Sequence, residues 1–244
     1  MSKKFGIIFV IIGVVLFLSA LLLFLHNKNE DVQAGQNSEE ILADVKTAIM
    51  ENIEKAQNVA ATKDAVLDTE SDTANSEIVS DPEITGTDVA SDGTNKTGET
   101  NVTTASVPQD EDYEEMPIVQ IDGNRYIGII TIPAIGIELP VIADWDYELL
   151  NLAPCRHFGS SATDDLVIAG HNFVAHFANL RYLKEGDTVS FTDMNGEVIV
   201  YAVEKMEILD ATAVDQVLNV DYDLILYTCT YEGTTRVTVF CNRI

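Results

Sequence analysis

The segment Asp223-Leu-Ile-Leu-Tyr-Thr-Cys229-Thr-Tyr-Glu-Gly-Thr-Thr-Arg236-Val-Thr-Val-Phe-Cys241-Asn-Arg243 decides the fold of this chain. Two runs rich in β-branched and aromatic residues, 224–231 and 234–242, flank Glu232-Gly233. This pattern predicts a β-hairpin with those two residues as its turn. In that register Cys229 lies directly opposite Arg236.

The predicted pairing has a chemical consequence. Side chains that face each other across an antiparallel pair have Cβ atoms about 4.5–5.5 Å apart. A thiol placed beside a guanidinium, which stays charged near neutral pH, is shifted toward the nucleophilic thiolate. The opposite face of the hairpin carries an apolar set suited to a core: Leu224, Leu226, Val237, Val239 and Cys241.

An uncharged apolar run occupies residues 5–25 near the N-terminus. As a helix, a run of this length crosses the roughly 30 Å of hydrocarbon in a bilayer. A cleaved signal peptide has an apolar core of only about 7–15 residues, so we expect an uncleaved anchor. Lys3 and Lys4 precede the run and only Lys28 closely follows it. The positive-inside rule therefore predicts a cytoplasmic N-terminus and an extracellular remainder.

The charge of the chain is strongly negative, with a formal net charge of −26 at pH 7. Residues 29–115 contain 22 acidic residues and four lysines, and residues 116–244 contain 18 acidic and seven basic residues. Both parts repel a phosphate backbone, which argues against nucleic acid as a partner. The excess of acidic side chains is typical of a soluble segment outside the cell.

Residues 29–115 are predicted to be an acidic stalk or linker. An apolar stripe with helical spacing predicts a short amphipathic helix near residues 38–60, and its members are Ile41, Leu42, Val45, Ala48, Ile49 and Ile53. The stripe could pack on a partner, on the folded domain or in a coiled coil, and we favour a marginal helix within the stalk. Residues 61–112 contain no aromatic residue and are expected to be a disordered tether. The resulting organisation is an anchor at 1–28, the stalk, and a folded domain at 116–244.

The folded domain shows many short strand-like runs and few helical ones. The strands are predicted at 126–132, 138–142, 166–169, 188–192, 197–203, 224–230 and 235–241. Asn195-Gly196, between the fourth and fifth runs, is the strongest short hairpin signal in the chain. Short helical pieces fit 147–152, 175–183 and 213–218. This pattern predicts a mostly-β barrel or sandwich.

The three cysteines, Cys155, Cys229 and Cys241, are an odd number, so they cannot all be paired in disulfides. Cys229 and Cys241 point to opposite faces of the predicted hairpin, which makes Cys241 a buried hydrophobe and leaves Cys229 free. Cys155 receives no assignment from the sequence.

His171 follows an apolar strand in the sequence Gly170-His171-Asn172 and is placed to face a cleft. A lone histidine is more often structural than catalytic. Together with Cys229 and Arg236, however, it completes the parts of cysteine acyl transfer. The cysteine attacks a carbonyl, the histidine protonates the leaving amine, and the fixed cation stabilises the oxyanion.

These residues resemble the signature of the sortase family. That signature is a Thr-Leu-x-Thr-Cys strand, an arginine on the next strand and a Gly-His after an earlier strand. The three parts of the signature correspond here to residues 225–229, to Arg236 and to Gly170-His171. The segment from Gly128 to Pro140 is also similar to the family. Ile225 departs from the pattern, because the signature has threonine there.

The resemblance implies a closed eight-stranded β-barrel on the outer face of a Gram-positive-type cell membrane. It implies a cysteine transpeptidase whose partners are secreted proteins with a Leu-Pro-x-Thr-Gly-like sorting signal. Cys229 would attack the Thr–Gly carbonyl, His171 would serve as acid and then base, and Arg236 would hold the oxyanion. Thr228 would adjoin the oxyanion site. The acceptor would be an amine of a lipid-linked peptidoglycan precursor or a pilin lysine.

The short connection between residues 209 and 222 and the absence of a lid motif before the first strand favour a class D-like or housekeeping-like enzyme. Two other functions remain open: a cysteine peptidase that hydrolyses its thioester, and a non-catalytic membrane-tethered binding module. We expect no cofactor. Cys155 and His157 do not have the spacing of a zinc site. Some sortases bind Ca²⁺, but this sequence contains no Asp-x-Asp-x-Asp-Gly loop that would indicate a calcium site. His157 and His176 are expected to be surface or supporting residues.

Overall fold

The computed structural model describes residues 2–67, 116–213, 215–218, 220–231 and 233–244. Within these ranges it does not describe the side chains of residues 2–8, 62–67, 215 and 218. The elements are α1 (Ser2–Leu67), β1 (Val119–Ile121), β2 (Asn124–Ile132), β3 (Ile137–Ile142), β4 (Cys155–Phe158), β5 (Leu166–Gly170), β6 (Thr188–Asp193), β7 (Val198–Asp210), α2 (Asp215–Leu218), β8 (Leu224–Cys229) and β9 (Thr235–Arg243).

The strands form a closed barrel. Its order is β2-β3-β4-β5-β8-β9-β7-β6, and β6 pairs back onto β2 to complete the ring of eight. β1 lies outside the ring and pairs with β2. β3 pairs with β4 and β5 pairs with β8 in parallel, and the other neighbours are antiparallel. The predicted eight-stranded sortase-type barrel is confirmed.

All seven predicted strands are confirmed, and two further strands were missed. β1 and β4 have only three and four residues, too few for a hydrophobic period to be recognised. The turn at Asn195-Gly196 is confirmed, and Gly196 adopts a φ of 83° that a larger residue rarely takes. Asp193 fixes this turn, because its carboxylate accepts hydrogen bonds from the backbone N–H groups of Asn195 and Glu197.

The β8–β9 hairpin has the predicted register, with Cys229 paired to Arg236. Its connection is longer than predicted, because the last closing bond runs from the N–H of Thr230 to the carbonyl of Thr235. Gly233, with a φ of 72°, supplies the left-handed residue of this connection. The longer connection leaves the predicted residue pairs of the two strands unchanged.

The barrel interior is filled by one face of each strand. β8 and β9 contribute the apolar set predicted for the rear face of the hairpin, including the fully buried Cys241. A smaller cluster outside the barrel joins Ile225 to Val167, Leu209 and Phe240. Ile225, the residue that departs from the sortase signature, is therefore part of the packing between neighbouring strands.

Helix α1 packs along the outside of the barrel. The stripe predicted from its spacing contributes to a second apolar cluster, in which Val45 and Ile49 are 0% and 6% exposed. Polar contacts flank it: Lys46 pairs with Glu138, and the Asn52 side chain donates to the carbonyl of Met194. The structure thus shows the stripe docked on the folded domain, which was one of the three possibilities left open by the sequence, and not as the marginal stalk helix that the sequence analysis favours.

Helix α1 is also much longer than the predicted helix near 38–60. No proline interrupts residues 2–67, so nothing forces an end between the apolar run and the amphipathic stripe. The boundaries predicted at 28 and 115 stay a prediction. Most of the predicted tether at 61–112 lies outside the described residues.

The N-terminal part of α1 is apolar and exposed. Large side chains such as Phe9, Leu16 and Phe17 are more than half exposed. Among the described residues, α1 is the one helix long and apolar enough to cross a membrane. It is therefore a candidate membrane anchor.

Removing the buried Ile49 side chain tests the docking of α1. We expect Ile49→Ala to lower the free energy of unfolding of the barrel by about 2–5 kcal/mol, because the truncation leaves a cavity in the shared apolar cluster. The measurement is urea unfolding of the detergent-solubilised chain. The matched control is Met50→Ala, since Met50 is 61% exposed and its change should stay within about 0.5 kcal/mol. Equal effects of the two substitutions would contradict docking.

Candidate active site

A groove of about 270 Å³ opens beside the end of β8. Its walls are mainly apolar and aromatic, with a few polar groups at one end. The lining residues are Trp145, Tyr147, Leu150, His157, Phe158, Ala169, Gly170, Leu209, Asp210, Ala211, Ala213, Val217, Tyr227, Cys229, Arg236 and Thr238. Such a mixture is typical of a site that binds an extended, partly apolar ligand.

Cys229 is the accessible cysteine of the three. All three lie among the described residues and none forms a disulfide, but Cys155 and Cys241 are fully buried whereas Cys229 is half-buried. Burial raises the pKa of Cys155 and of Cys241 to about 12, so both stay protonated thiols. Cys229 alone among them combines contact with the groove and access to solvent.

Arg236 lines the same groove, one strand away from Cys229. Its Nη1 donates to the carbonyls of Gly233, at 2.9 Å, and of Thr235, at 3.1 Å. These two bonds hold the guanidinium against the hairpin connection. A guanidinium has five N–H donors in a planar fork, so a second ligand such as a carbonyl oxygen or an oxyanion can still be bound.

The parallel pairing of β5 and β8 places His171 at the same end of the sheet as Cys229. Gly170 is in register with Thr228, and the next residue of each chain segment is His171 and Cys229. Neighbouring strands lie about 4.8 Å apart, so the two residues leave adjacent strands side by side. Gly170 also packs closely against Phe177, because a Cβ added to it would lie 2.5 Å from that ring.

The His171 ring is held by aromatic neighbours. It stacks on Phe173, with ring centroids 4.3 Å apart, and meets the edge of Tyr147 at 6.0 Å. Burial lowers the pKa of His171, and Asn172 and the carboxylate of Glu30 act in the opposite direction. Its Nδ1 is buried without a hydrogen-bond partner in the described part of the chain. The lowered pKa favours neutral imidazole, which can accept a proton from a thiol.

Thr228, the fourth predicted site residue, lies on the other face of β8. Successive side chains of a strand alternate, so Thr228 points into the barrel with Leu226 while Cys229 points to the groove. It is 2% exposed, and its hydroxyl has no partner among the described residues. The structure does not bring this hydroxyl to the Cys229 face, and a role in oxyanion support stays a prediction.

An aromatic group in the groove was not found from the sequence. His157 on β4 shares a 3.0 Å hydrogen bond between its Nδ1 and the Tyr227 hydroxyl, and its ring lies 4.6 Å from that of Trp145. Burial lowers the pKa of His157. The signal that could have revealed the group is Trp145 itself, the single tryptophan of the chain, at 41% exposure. His157 was expected to be a surface or supporting residue, and the structure places it in the wall of the groove.

His176 is buried and not a surface residue. It is 0% exposed, and its Nε2 lies 2.7 Å from the Ser38 hydroxyl on α1. Burial lowers the pKa of His176 to about 4, with a smaller lowering from the nearby His171. The sequence contains no local signal for this contact, because Ser38 lies far away along the chain.

Comparison with known proteins gives a family match over the part of the chain that contains this site. Residues 130–244 match the family model of the sortase domain. The matched region contains His171, Cys229 and Arg236. A comparison with curated proteins gives no match.

Solved sortase structures are similar to the chain over about half of its length. Sortase C1 from Streptococcus suis is 28% identical, with a TM-score of 0.43 over 49% of this chain and 73% of the other. Sortase A from Corynebacterium diphtheriae is 27% identical, with a TM-score of 0.44 over 50% and 61%. A Sortase D5 transpeptidase from Clostridium perfringens is 22% identical, with a TM-score of 0.44 over 49% and 79%. The class of this sortase domain stays a prediction.

Thiol labelling tests the assigned accessibility of the cysteines. We expect iodoacetamide to modify one thiol in the folded protein and all three in urea, because Cys155 and Cys241 are enclosed in apolar clusters. Mass spectrometry of the labelled peptides should place the folded-state label on Cys229, and Cys229→Ala should remove it. Labelling of Cys155 at a comparable rate would contradict the arrangement.

The buried His176 predicts a pH dependence of stability. Its pKa is about 6.5 in the unfolded chain and about 4 in the fold, so between these values the unfolded state binds more protons. Its contribution is fully present above pH 6.5 and is lost as pH falls toward 4, by roughly 3 kcal/mol in total. We expect urea unfolding at pH 4.5 and 7.5 to show a smaller difference for His176→Gln than for the wild type. An equal difference in both proteins would refute this assignment.

Proposed function

We propose that the sortase domain of this chain is a cysteine transpeptidase that cleaves a Leu-Pro-x-Thr-Gly-like sorting signal and transfers the protein to an amine. The observation that carries the proposal is the position of β8 between β5 and β9. This position sets Cys229 beside Arg236 on one side and beside the end of the strand leading to His171 on the other. The sortase family match supports the same chemistry.

The first half-reaction forms a thioester. The Cys229 thiol passes its proton to neutral His171, and the resulting thiolate attacks the carbonyl carbon between Thr and Gly of the signal. The negative charge that develops on the carbonyl oxygen is stabilised by Arg236. The carbon–nitrogen bond then breaks as His171 donates its proton to the leaving amine. The products are a thioacyl-enzyme and a released C-terminal peptide.

The second half-reaction transfers the acyl group. An acceptor amine attacks the thioester carbon, and His171 takes a proton from that amine as a general base. The carbon–sulfur bond breaks, an amide forms, and the Cys229 thiolate recovers the proton from His171. We propose a lipid-linked peptidoglycan precursor or a pilin lysine as the source of the amine. All steps are acyl and proton transfers, so we propose that the protein itself needs no cofactor.

The groove suits the apolar part of a sorting signal. Leu209, Ala213 and Val217 form one wall, and Trp145 and Leu150 contribute aliphatic and aromatic surface to the rest. A leucine and a proline preceding the scissile bond can be buried there while the carbonyl reaches Cys229. Burial of apolar side chains stabilises such a complex by about 25 cal/mol per Å² removed from water.

We further propose that α1 anchors the enzyme in the cell membrane with the barrel on the outer side. The exposed apolar stretch of α1 supports the anchor, and Lys3 and Lys4 at its N-terminal end support a cytoplasmic N-terminus. Secreted proteins that carry a sorting signal would then meet the groove as they leave the membrane. The cell would be of the Gram-positive type.

A peptide assay tests the proposed function. The full chain in detergent is mixed with a fluorogenic Leu-Pro-x-Thr-Gly peptide, with and without triglycine, and the products are separated by chromatography. We expect a ligated product whose share rises with triglycine concentration. Cys229→Ala should lower turnover by roughly 10³-fold or more, because the nucleophile is lost. Hydrolysed peptide as the sole product at every triglycine concentration would instead identify a peptidase.

Two further variants provide controls for the peptide assay. Cys155→Ala removes a thiol that the groove does not contact, and its kcat should remain within about twofold of the wild type. Arg236→Lys keeps the charge but loses the planar fork, and its kcat should fall by roughly 10²-fold. Full turnover in Cys229→Ala, together with retained peptide binding, would favour a non-catalytic binding module.

A further inference from the structure

Ser38 joins two loops that border the active site. Its hydroxyl donates to the carbonyl of Leu152 at 2.5 Å and lies 2.7 Å from Nε2 of His176. Leu152 ends the segment that carries Tyr147 and Leu150 into the groove. His176 belongs to the segment that follows His171. Ser38 itself is on α1 and is 2% exposed.

The proton positions at Ser38 follow from its two partners. A hydroxyl has one hydrogen, and the carbonyl of Leu152 can only accept. The hydrogen of Ser38 is therefore used there, and the Nε2–H of His176 must donate to the Ser38 oxygen. Both the Nε2–H tautomer of neutral His176 and the imidazolium can donate this bond. Burial, which lowers the pKa of His176 to about 4, favours the neutral tautomer.

The contact between α1 and the loop after His171 extends beyond Ser38. Asp31, two turns earlier on α1, accepts a hydrogen bond from the backbone N–H of Ala175 at 3.2 Å. Gly35 lies between them, and a Cβ added to it would be 3.1 Å from the Cβ of Ala175. One face of α1 therefore holds this loop at successive turns.

His176 is linked to His171 through short aromatic and backbone contacts. Phe173 stacks on His171 at 4.3 Å and meets the His176 ring at 5.6 Å. The N–H of Phe177 donates to the carbonyl of His171 at 3.1 Å, which closes the loop on itself. A displacement of His176 would therefore move the support on which the His171 ring rests.

We propose that Ser38 is a positioning residue for the active site: from the anchor helix it fixes the His171 loop through His176 and the groove loop through Leu152. This inference rests on the proposed function, because the purpose of the fixed loop is to hold His171 beside Cys229. Small displacements of a catalytic group, of the order of 1 Å, lower rates by up to about 10²-fold. The anchor helix is thus part of the catalytic apparatus of this chain.

The test compares Ser38→Ala with Asn52→Ala in the full chain in detergent. Asn52 also hydrogen-bonds from α1 to the barrel, at 2.9 Å to the carbonyl of Met194, but it contacts neither active-site loop. We expect Ser38→Ala to lower kcat for peptide ligation by about 10-fold or more. Asn52→Ala should leave kcat within about twofold. Ser38→Thr, which keeps the hydroxyl, should recover part of the loss. Equal kcat in the two alanine variants would overturn the proposal.

A double-mutant comparison identifies the route of the effect. If Ser38 acts on the His171 loop through His176, the variant combining Ser38→Ala with His176→Gln should lose little more kcat than the worse single variant. Losses that multiply would show that His176 is not the link. Unfolding in urea, measured for each variant, ensures that kcat is compared for folded protein.

Hydrogen exchange separates this proposal from the proposed function. If the wild-type protein ligates no peptide, the proposed function fails, while loop fixation can still be measured by mass spectrometry. We expect faster exchange of peptides covering 171–177 and 147–153 in Ser38→Ala but not in Asn52→Ala, because only the former loses the bonds to these loops. Unchanged exchange in both peptides would overturn the proposal whatever the activity.

Discussion

The whole site depends on the placement of β8 between a parallel and an antiparallel neighbour. The antiparallel partner β9 brings Arg236 opposite Cys229, and the parallel partner β5 ends beside Cys229 and continues into His171. A parallel pair cannot be joined by a tight turn, so the connection between β5 and β8 has to travel around the rest of the barrel. Closure of the barrel through β2 and β6 therefore fixes the position of His171 relative to Cys229 and Arg236, which are distant from it in sequence.

The sequence predicts those parts of the site that depend on local order. The β8–β9 register follows from a short connection between two strongly β-forming runs, and the longer connection of the structure leaves the predicted pairs unchanged. The pairing of Gly170 with Thr228 has no such local signal, so the sequence grouped His171 with Cys229 by their chemistry and by the family resemblance, not by a predicted strand pairing. The inward direction of Thr228 was readable from strand alternation, since it shares a face with Leu226.

Helix α1 shows what the sequence pattern does not predict. The apolar stripe around Val45 and Ile49 is recognisable in the sequence, but such a stripe does not identify the surface on which it packs. The barrel surface that covers the stripe is built from residues of β2, β3 and β4 together with Met194. These residues come together only in the folded chain. β4, which supplies Cys155 to this surface, was itself missed. Ser38 carries no local signal for a buried role, whereas the continuous α1 uses it as a buried contact to His176.

The electrostatics of the site follow from burial within a strongly acidic protein. Burial lowers the pKa of His171 and of His176, so the ground state favours neutral imidazoles and leaves Arg236 as the fixed positive charge lining the groove. In the proposed reaction neutral His171 takes the proton of Cys229, and the negative charge of the thiolate passes to the substrate oxygen as the thiolate attacks. That transfer is favourable where a guanidinium is already in place to receive the oxyanion. In the proposed reaction the proton acceptor and the oxyanion partner thus act on the same step, and removing either should slow acylation more than it weakens peptide binding.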